Sequence, residues 1–280
     1  MTPAPGDSAG AGARHPEGPL LVALDIDGTL ISYDEVLSDV VRDAVGAVRD
    51  AGHEVVLSTG RSVVAIREVA DALGLTDGYA VTSNGAVTVR LDQAEPQGFV
   101  LDDVVTFDPG PALRLLREQL PDARYAVEEI GVGFRLNTPF PDGELGGEHE
   151  VVPFEDLWER EVTRVVVRSP EHSSADFHDM VAGLGLDDIT YAVGWTAWMD
   201  LAPLGVSKAT ALERLRRILH VQPHRTVALG DGFNDLEMLR WAARGVAMGH
   251  AAEQVRAAAD EVTGSVDDDG AAELLRSLLA

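Results

Sequence analysis

The sequence predicts a protein of the α/β class, in which a parallel sheet carries helices on both faces and a second, α+β domain is inserted into the chain. Short apolar runs alternate with amphipathic helical segments, which is typical of parallel strands joined by crossover helices. The runs end in small polar or acidic residues, and ligands of such sheets bind at the carboxyl ends of the strands. This alternation stops after residue 85 and resumes at residue 204, which indicates the insertion.

The first strand is predicted at Leu21 to Leu24, a short apolar run of the kind that is buried on both faces of a parallel sheet. Asp25 and Asp27 follow it, and residues two apart in a strand point to the same side. Gly28 permits a sharp departure of the backbone, and Thr29 places a hydroxyl beside the carboxylates. Because neighbouring carboxylates repel, a divalent ion such as Mg²⁺ would stabilise them. A strand that runs into an aspartate-rich turn is the alternative for this stretch alone.

The next elements continue the alternation. Apolar residues at helical spacing from Val36 to Val48 predict an amphipathic helix, with Gly52 as its C-cap. Three elements follow it: a strand over His53 to Leu57 that ends in Ser58-Thr59-Gly60-Arg61, a helix over roughly Val63 to Leu73, and a strand over Tyr79 to Val81 that ends in Thr82-Ser83-Asn84-Gly85.

Residues 86 to 203 form the predicted insertion. Several of its segments alternate between apolar and polar residues, as in residues 131 to 136, which indicates a sheet with one covered and one exposed face. Strands are predicted at Val87 to Leu91, Phe99 to Phe107, Tyr125 to Leu136, Thr163 to Arg168 and Thr190 to Leu201, and helices at roughly Pro111 to Leu120 and Ser174 to Leu184.

The strand and helix alternation then resumes and continues to the end of the chain. The predicted elements are a helix over Val206 to Leu219 with Lys208 in its first turn, a strand over Arg225 to Leu229 that ends in Gly230-Asp231-Gly232-Phe233-Asn234-Asp235, a helix to Arg244, a strand over Gly245 to Met248, a helix over Gln254 to Ala259, a strand over Glu261 to Thr263 and a helix over Ala271 to Leu279. Residues 1 to 18, rich in Ala, Gly and Pro, read as a disordered tail. The core domain therefore comprises residues 19 to 85 and 204 to 280, and the insertion residues 86 to 203.

The composition limits the classes of function. With 22 basic and 47 acidic residues, the formal net charge is −25, which argues against nucleic acid or an anionic membrane as a partner. The chain has no cysteine, which excludes disulfides, thiolate chemistry and cysteine-ligated zinc. No apolar run is long enough to span a membrane, and the N-terminus lacks the features of a signal peptide, so we expect a cytoplasmic protein. A small phosphorylated substrate remains compatible with this charge, and the sequence does not indicate an oligomeric state.

The strand ends, together with the lysine of the helix before the fourth strand, supply groups that suit one chemistry. Phosphoryl transfer through a phospho-aspartate requires a carboxylate to attack, a metal ion to shield the phosphate and a cation to share the developing charge. The residues that supply these groups are Asp25, Asp27, Thr59, Lys208, Asp231 and Asp235.

These residues resemble the motifs of the haloacid dehalogenase superfamily of phosphohydrolases. Asp25-Ile26-Asp27-Gly28-Thr29-Leu30 matches the first motif, Thr59 the second, Lys208 the third and Gly230-Asp231-Gly232-Phe233-Asn234-Asp235 the fourth. The insertion point, with Asn84-Gly85-Ala86 at its entrance, is similar to the Cof-type (class IIB) subgroup. The resemblance implies a Rossmann-like core with a C2-type cap domain, Mg²⁺ as cofactor, and phosphatase activity on a small metabolite such as a sugar phosphate.

The resemblance also implies a role for each matched residue. Asp25 would be the nucleophile that takes the phosphoryl group. Asp27 would protonate the leaving oxygen, later activate water, and help to hold Mg²⁺ through its backbone carbonyl. Asp27 must then be protonated while Asp25 is ionised, the usual outcome for neighbouring carboxyl groups in different environments. Thr59 and Lys208 would bind the phosphoryl group.

By the same resemblance, the predicted metal ligands are Asp25, Asp27, Asp231 and Asp235. Further contacts to the substrate or its phosphate are predicted at Gly60, Arg61, Asn84 and Asn234. A salt bridge at the strand end or a turn explains Arg61 and Asn84 nearly as well. Four cap residues are candidates to face the substrate, although aromatic residues spaced in this way are more often core: Phe134, Arg135, Trp195 and Trp198.

Two other functions share part of this pattern. A phosphomutase uses the same aspartyl-phosphate step but returns the phosphoryl group to the sugar, and the sequence does not separate it cleanly from a phosphatase. A non-enzymatic phospho-aspartate signalling domain also has an acidic cluster, a threonine and a lysine on a parallel sheet. The large insertion and Asp27 argue against it, because a long-lived phosphoryl group needs no general acid.

Overall fold

The computed structural model of the protein describes residues 18–169, 189–193 and 197–279. Outside these ranges lie the predicted tail apart from Gly18, the helix predicted over Ser174 to Leu184, and Trp195. No helix within the described ranges is both long enough and apolar enough to cross a membrane.

Strands and helices alternate as predicted in the two segments that flank the insertion. The strands are β1 (Leu21–Leu24), β2 (Glu54–Ser58), β3 (Tyr79–Thr82), β4 (Val87–Leu91), β5 (Phe99–Val104), β6 (Arg124–Glu129), β7 (Gly133–Leu136), β8 (Glu148–Val151), β9 (Val165–Arg168), β10 (Ile189–Val193), β11 (Trp198–Pro203), β12 (Thr226–Gly230), β13 (Arg244–Ala247) and β14 (Glu261–Val262). The α-helices are α1 (Asp39–Asp50), α2 (Val63–Leu73), α3 (Gly110–Gln119), α4 (Lys208–Ile218), α5 (Leu236–Trp241), α6 (Glu253–Arg256) and α7 (Gly270–Ser277). Short 3₁₀ helices span Ser83–Gly85, Phe154–Trp158, Pro223–Arg225 and Phe233–Asp235.

The larger sheet has eight strands in the order β14-β13-β12-β1-β2-β3-β4-β5. Its strands from β14 to β3 are parallel, with β1 between β12 and β2. Leu24 of β1 lies opposite Leu229 on one side and Leu57 on the other. Because these three strands end in register, Asp25 and Asp231 emerge at the same edge of the sheet.

Helices cover both faces of the larger sheet. Alternate residues of β1 point to opposite faces, so that Val22 and Leu24 join one apolar cluster and Leu21 and Ala23 join another. Helices α1, α2 and α7 pack in the first cluster, and α4, α5 and α6 pack in the second. The predicted α/β core, a parallel sheet with helices on both faces, is confirmed.

The pairing of β4 and β5 corrects one boundary of the sequence analysis. The sequence pattern predicts that both strands lie in the insertion, with its first residue at 86. Instead, the 3₁₀ turn Ser83–Gly85 reverses the chain at once, and β4 runs back antiparallel to β3, with Val87 opposite Thr82. β5 then pairs antiparallel with β4. These two strands extend the larger sheet, and the first strand of the second sheet is β6.

The second sheet has the order β10-β11-β9-β6-β7-β8. β7 and β8 are parallel, and the other neighbours are antiparallel. On one face, α3 packs through Leu113 and Leu116 against Tyr125 of β6. A separate apolar cluster contains Phe134 with Trp198 packed against it. The insertion is therefore an α+β unit, as predicted.

A capping box fixes the start of α4. Ser207 Oγ accepts a hydrogen bond from the backbone N–H of Thr210, and Thr210 Oγ1 accepts one from the N–H of Ser207. Gly85 lies directly against this helix start: its φ is +105°, and a Cβ at this position would lie 2.2 Å from the carbonyl oxygen of Ser207. The missing side chain thus lets the turn that carries Asn84 pack on the helix start that carries Lys208.

We expect Gly85→Ala to lower the free energy of unfolding by at least about 2 kcal/mol, because alanine would meet both a strained backbone conformation and a backbone clash. Gly131→Ala is the matched control, since Gly131 also has a positive φ, +75°, but nothing lies within 4 Å of its added Cβ. That variant should lose only about 1 kcal/mol. Urea denaturation measures both, and equal losses would refute the importance of the contact with Ser207.

Candidate active site

A cleft of about 530 Å³ lies between the carboxyl ends of the parallel strands and the insertion. The larger sheet contributes Asp25 and Asp231 to its lining, and the insertion contributes Glu144, Arg164 and Asp200. Ligands of parallel α/β sheets bind at this edge, so the cleft is the candidate active site.

Lys208 joins two carboxylates, one of which, Asp25, lines this cleft. Its Nζ donates hydrogen bonds of 2.6 Å to Oδ1 of Asp25 and 2.6 Å to Oδ1 of Asp235, and its side chain is fully buried. Burial alone would lower the pKa of Lys208, but the carboxylates of Asp235 and Asp25 outweigh it and raise that pKa above its ordinary value. The lysine is therefore a permanent cation next to the predicted nucleophile.

Asp235 uses its second oxygen to shape the turn after β12. Oδ2 accepts hydrogen bonds from the backbone N–H groups of Asp231 (3.0 Å) and Gly232 (2.9 Å). Gly230 permits this close approach, because a Cβ there would lie 2.5 Å from the Asp235 carboxyl carbon. Asp235 thus connects Lys208 to the turn that carries Asp231.

Hydroxyl groups orient the carboxylate of Asp231. Thr29 donates to its Oδ1 at 3.1 Å, and Tyr33 donates to its Oδ2. His250 Nε2 lies 3.6 Å from the same Oδ2. Gly28 leaves space for this carboxylate, because a Cβ at residue 28 would lie 2.5 Å from Oδ2 of Asp231. Burial raises the pKa of Asp231, while the hydrogen bond from Tyr33 acts in the opposite direction. Sequence reasoning missed Tyr33, which no strand-end pattern marks.

The buried acidic residues fit a divalent metal ion. Asp25, Asp231 and Asp235 each offer an oxygen, and these oxygens lie within 4.8 Å of one another. Burial, followed by repulsion from Asp235, raises the pKa of Asp25 well above its usual range, and Lys208 only partly opposes the shift. Three carboxylates against one ammonium leave two negative charges uncompensated, and a hard divalent cation with oxygen ligands would balance them.

Asp27 has surroundings different from those of Asp25. Arg61 donates to it from Nε, to Oδ2 at 2.9 Å and to Oδ1 at 3.1 Å, and from Nη2 to Oδ1 at 2.5 Å. The Asp27 side chain is 47% exposed, against 7% for Asp25. Thr59 is buried next to them, and its Oγ1 accepts a hydrogen bond from the backbone N–H of Arg61. The Asp27 side chain is thus not part of the buried acidic cluster, although the predicted metal contact of this residue was through its backbone.

The remaining predicted contact residues lie together at one side of the cleft. Asn234 Nδ2 donates a 2.9 Å hydrogen bond to Oδ1 of Asn84. Asn84 is buried with a φ of +54°, and a Cβ on Gly60 would lie 3.1 Å from its Oδ1. Asn234 and Gly60 line the cleft, whereas Asn84 lines a smaller cavity next to it.

Buried polar contacts join the insertion to these strand-end loops. Arg164, which precedes β9, donates from Nη1 to the carbonyl oxygen of Gly60. Ser83 donates from Oγ to Oε1 of Glu128 in β6 at 2.9 Å, and the Nε of Arg164 lies 3.6 Å from Oε2 of Glu128. Sequence reasoning missed Glu128 and Arg164, the two residues of the insertion that make these contacts. Their signal was a charged side chain directly beside an apolar strand segment, as in Val127-Glu128 and Arg164-Val165.

Of the four cap candidates, three lie within the described residues. Trp198 lines the cleft. Phe134 packs in the apolar cluster of the second sheet, with the guanidinium of Arg164 5.2 Å from its ring centre. Arg135 forms an ion pair of 2.6 Å with Glu129, so its charged group is bound within the insertion.

Asp200 is a further residue of the cleft that sequence reasoning missed. It lies in β11, its Oδ2 accepts a 3.1 Å hydrogen bond from Trp198 Nε1, and its Oδ1 is 3.6 Å from Arg164 Nη1. Burial raises its pKa, while Arg164, Trp198 and the nearby amide of Asn84 act in the opposite direction. An aspartate inside an otherwise apolar strand was its only signal.

Asp231→Asn should stabilise the protein in chelator and weaken its response to a divalent ion. A raised pKa means that the folded state disfavours the Asp231 carboxylate, so stability is lost as pH rises from the ordinary aspartate pKa through the raised one. At pH 7.5, above the ordinary aspartate pKa, removal of this carboxylate should therefore raise the Tm in EDTA above that of the unaltered chain. Differential scanning fluorimetry with EDTA or Mg²⁺ measures both effects.

Asp122→Asn is the control, because Asp122 is exposed and far from the acidic cluster in the chain. It should change neither the Tm in EDTA nor the rise caused by Mg²⁺. If Asp231→Asn kept the full rise with Mg²⁺, the metal site would not include Asp231.

Comparison with known proteins agrees with this geometry. The family model described as haloacid dehalogenase-like hydrolase matches residues 22–104 and 138–275. A phosphoglycolate phosphatase of Natronomonas pharaonis is 32% identical over 91% of this chain and 95% of its own length. A 5-amino-6-(5-phospho-D-ribitylamino)uracil phosphatase of Bacillus subtilis is 26% identical over 91% of this chain and 94% of its own.

A solved phosphatase of the same superfamily from Bacteroides thetaiotaomicron is 28% identical, with a TM-score of 0.76, over 96% of this chain and 98% of that one. The family match covers most of the chain, and its residues include the acidic cluster, Lys208 and Thr59. The protein therefore belongs to the haloacid dehalogenase-like hydrolases, as its motifs predicted.

Proposed function

We propose that the protein is a Mg²⁺-dependent cytoplasmic phosphatase that releases phosphate from a small phosphorylated metabolite through an aspartyl-phosphate intermediate. The observation that carries the proposal is the buried contact between Lys208 and Asp25 within a cluster of carboxylates that fits a divalent ion. Membership of a hydrolase family and relatives that are named phosphatases support it.

In the first step, Asp25 attacks the phosphorus atom. One oxygen of Asp25, Oδ1, is held by Lys208, and the other forms the new P–O bond. The bond between phosphorus and the leaving oxygen breaks, and Asp27 gives that oxygen a proton. Because the Asp27 side chain is 47% exposed, it can exchange this proton with solvent, which the buried Asp25 cannot do as readily.

In the second step, a water molecule attacks the phosphorus atom of the aspartyl-phosphate. Asp27 takes a proton from this water, inorganic phosphate leaves, and the carboxylate of Asp25 is restored. The hydrogen bonds from Arg61 fix the direction of the Asp27 carboxyl group, which lines the cleft. Arg61 is thus proposed to position the acid and base of the reaction.

Asp25, Asp231 and Asp235 would hold the Mg²⁺ ion, together with the backbone carbonyl of Asp27. When bound, the ion supplies charge shielding between the anionic phosphate and the carboxylate that attacks it. Thr29 and Tyr33 keep the Asp231 carboxylate oriented for this purpose. Thr59, Lys208 and Asn234 are the proposed phosphate contacts, with Lys208 balancing the charge that develops in the transition state.

Phosphate release from a panel of sugar phosphates, nucleotides and cofactor phosphates, with Mg²⁺ or with EDTA, tests the proposal. We expect metal-dependent release, and a loss of at least about 10³-fold in Asp25→Asn because the nucleophile is removed. Asp34→Asn is the matched control: it removes the same charge from an exposed residue nearby in the chain and should retain activity.

Two outcomes would contradict a phosphatase. Isomerisation of a sugar phosphate without net release of phosphate would indicate a phosphomutase. A phosphorylated protein that persists after substrate is removed would indicate a signalling domain, since hydrolysis of the aspartyl-phosphate would then be missing.

A further inference from the structure

The loop after β2, residues 59–61, is held through its three backbone carbonyl groups, and we call it the β2 loop. Its first and third carbonyl oxygens accept hydrogen bonds from the backbone N–H groups of Asn84 (3.1 Å) and Ser83 (2.8 Å), which lie in the turn after β3. Its middle carbonyl oxygen, that of Gly60, accepts from Nη1 of Arg164 in the insertion. The larger sheet thus supplies two of the three donors, and the insertion supplies the third.

The peptide group between Gly60 and Arg61 is bound at both of its polar atoms. A peptide group is planar, so its oxygen and its N–H turn together. The oxygen accepts from Arg164, and the N–H donates to Oγ1 of Thr59 at 3.0 Å. Because Gly60 has no side chain, its backbone is less restricted than that of other residues, and hydrogen bonds have to set the orientation of this peptide group. Arg164 supplies one of these hydrogen bonds from outside the loop.

The orientation of this peptide group acts on both functional side chains of the β2 loop. It sets the direction in which the Arg61 side chain leaves the backbone, and Arg61 donates to both oxygens of the Asp27 carboxyl group. It also directs the hydroxyl of Thr59, whose oxygen accepts from the peptide N–H and whose proton can then be donated to a phosphoryl oxygen. A rotation of the peptide group would therefore displace the proposed acid and base of the reaction.

Arg164 can hold this peptide group because it is itself fixed within the insertion. Its side chain is only 6% exposed, its guanidinium lies 5.2 Å from the ring centre of Phe134, and its Nε lies 3.6 Å from Oε2 of Glu128. The N–H of Glu128 donates to the carbonyl oxygen of Arg164 at 3.0 Å, so the two residues are neighbours across adjacent chain segments. Oε1 of Glu128 accepts from Ser83 at 2.9 Å. The insertion thus holds the β2 loop directly and also through the turn after β3.

We infer that Arg164 is a positioning residue for proton transfer: it fixes the peptide group between Gly60 and Arg61, and through Arg61 it fixes the carboxyl group of Asp27. This inference rests on the proposed phosphatase function and adds to it a residue of the insertion that acts on the acid and base through the backbone. Loss of Arg164 should therefore matter most when the leaving group needs a proton.

Phenyl phosphate and p-nitrophenyl phosphate form a matched pair of probes, because they differ only in a nitro group at the far end of the leaving group. Phenolate is a much stronger base than p-nitrophenolate, so its departure depends more on a proton from Asp27. In the full chain with Mg²⁺, Arg164→Gln should lower kcat/KM for phenyl phosphate at least about tenfold more than for p-nitrophenyl phosphate. An equal loss with both esters would overturn the inference, since it would show a role in folding or in phosphate binding only.

Arg164→Lys retains a positive charge near Glu128, so it should fold even if Arg164→Gln does not. Its single ammonium cannot contact the Gly60 carbonyl and face Glu128 as the guanidinium does, so the loss for phenyl phosphate should exceed that for p-nitrophenyl phosphate by about threefold. An unchanged ratio would overturn the inference. Arg124→Gln is the matched control, because Arg124 also donates to a backbone carbonyl, that of Pro139 at 2.7 Å, but within the insertion. It should leave both values unchanged.

Hydrogen/deuterium exchange separates a failure of the inference from a failure of the proposed function. The backbone N–H groups of Arg61, Ser83 and Asn84 all donate to oxygens of the β2 loop. They should exchange faster in Arg164→Gln than in the unaltered chain, and no faster in Arg124→Gln. Faster exchange would support the hold of Arg164 on the loop even if neither ester releases phosphate, an outcome that would refute the phosphatase alone. Unchanged exchange would overturn the inference whatever the activity.

Discussion

The contact on which this structure depends is a single buried ammonium, Lys208, between the carboxylates of Asp25 and Asp235. The three residues come from the start of α4, the end of β1 and the turn after β12. Removing one partner of a buried ion pair leaves an uncompensated charge, which typically costs about 3–5 kcal/mol. The register of β1 and β12 and the capping box of α4 together place Lys208 Nζ 2.6 Å from Oδ1 of Asp25 and 2.6 Å from Oδ1 of Asp235.

Local environment separates two carboxylates that the sequence presents as neighbours. Asp25 is buried among acidic residues and held by a lysine, whereas Asp27 is half exposed and held by Arg61. The chain as a whole is strongly acidic, with a formal net charge of −25. Exposed charges are screened beyond roughly 8 Å at physiological ionic strength, so chemistry at the bottom of the cleft is governed by the few groups around it.

The sequence predicted the sheet, its helices and the strand-end residues because these follow from short-range rules. Apolar runs mark buried strands, and polar residues at their ends gather at one edge of a parallel sheet. It did not predict that β4 and β5 extend this sheet, since pairing across the tight turn Ser83–Gly85 depends on hydrogen bonds that no periodicity encodes. Tyr33, Arg164 and Asp200 were missed for a related reason: each acts on residues distant in the chain, and alone each looks like an ordinary surface or strand residue.

The buried contacts of Glu128 and Arg164 limit how freely the insertion can be exchanged between relatives. Glu128 accepts from Ser83 and Arg164 donates to the Gly60 carbonyl, so both reach loops that belong to the larger sheet. A chimera that receives a foreign insertion would have to supply a matching carboxylate and guanidinium, or it would leave Ser83 buried without its acceptor. Diversification by recombination is therefore constrained at this junction, and substitutions within the retained insertion are the more accessible route to new substrates.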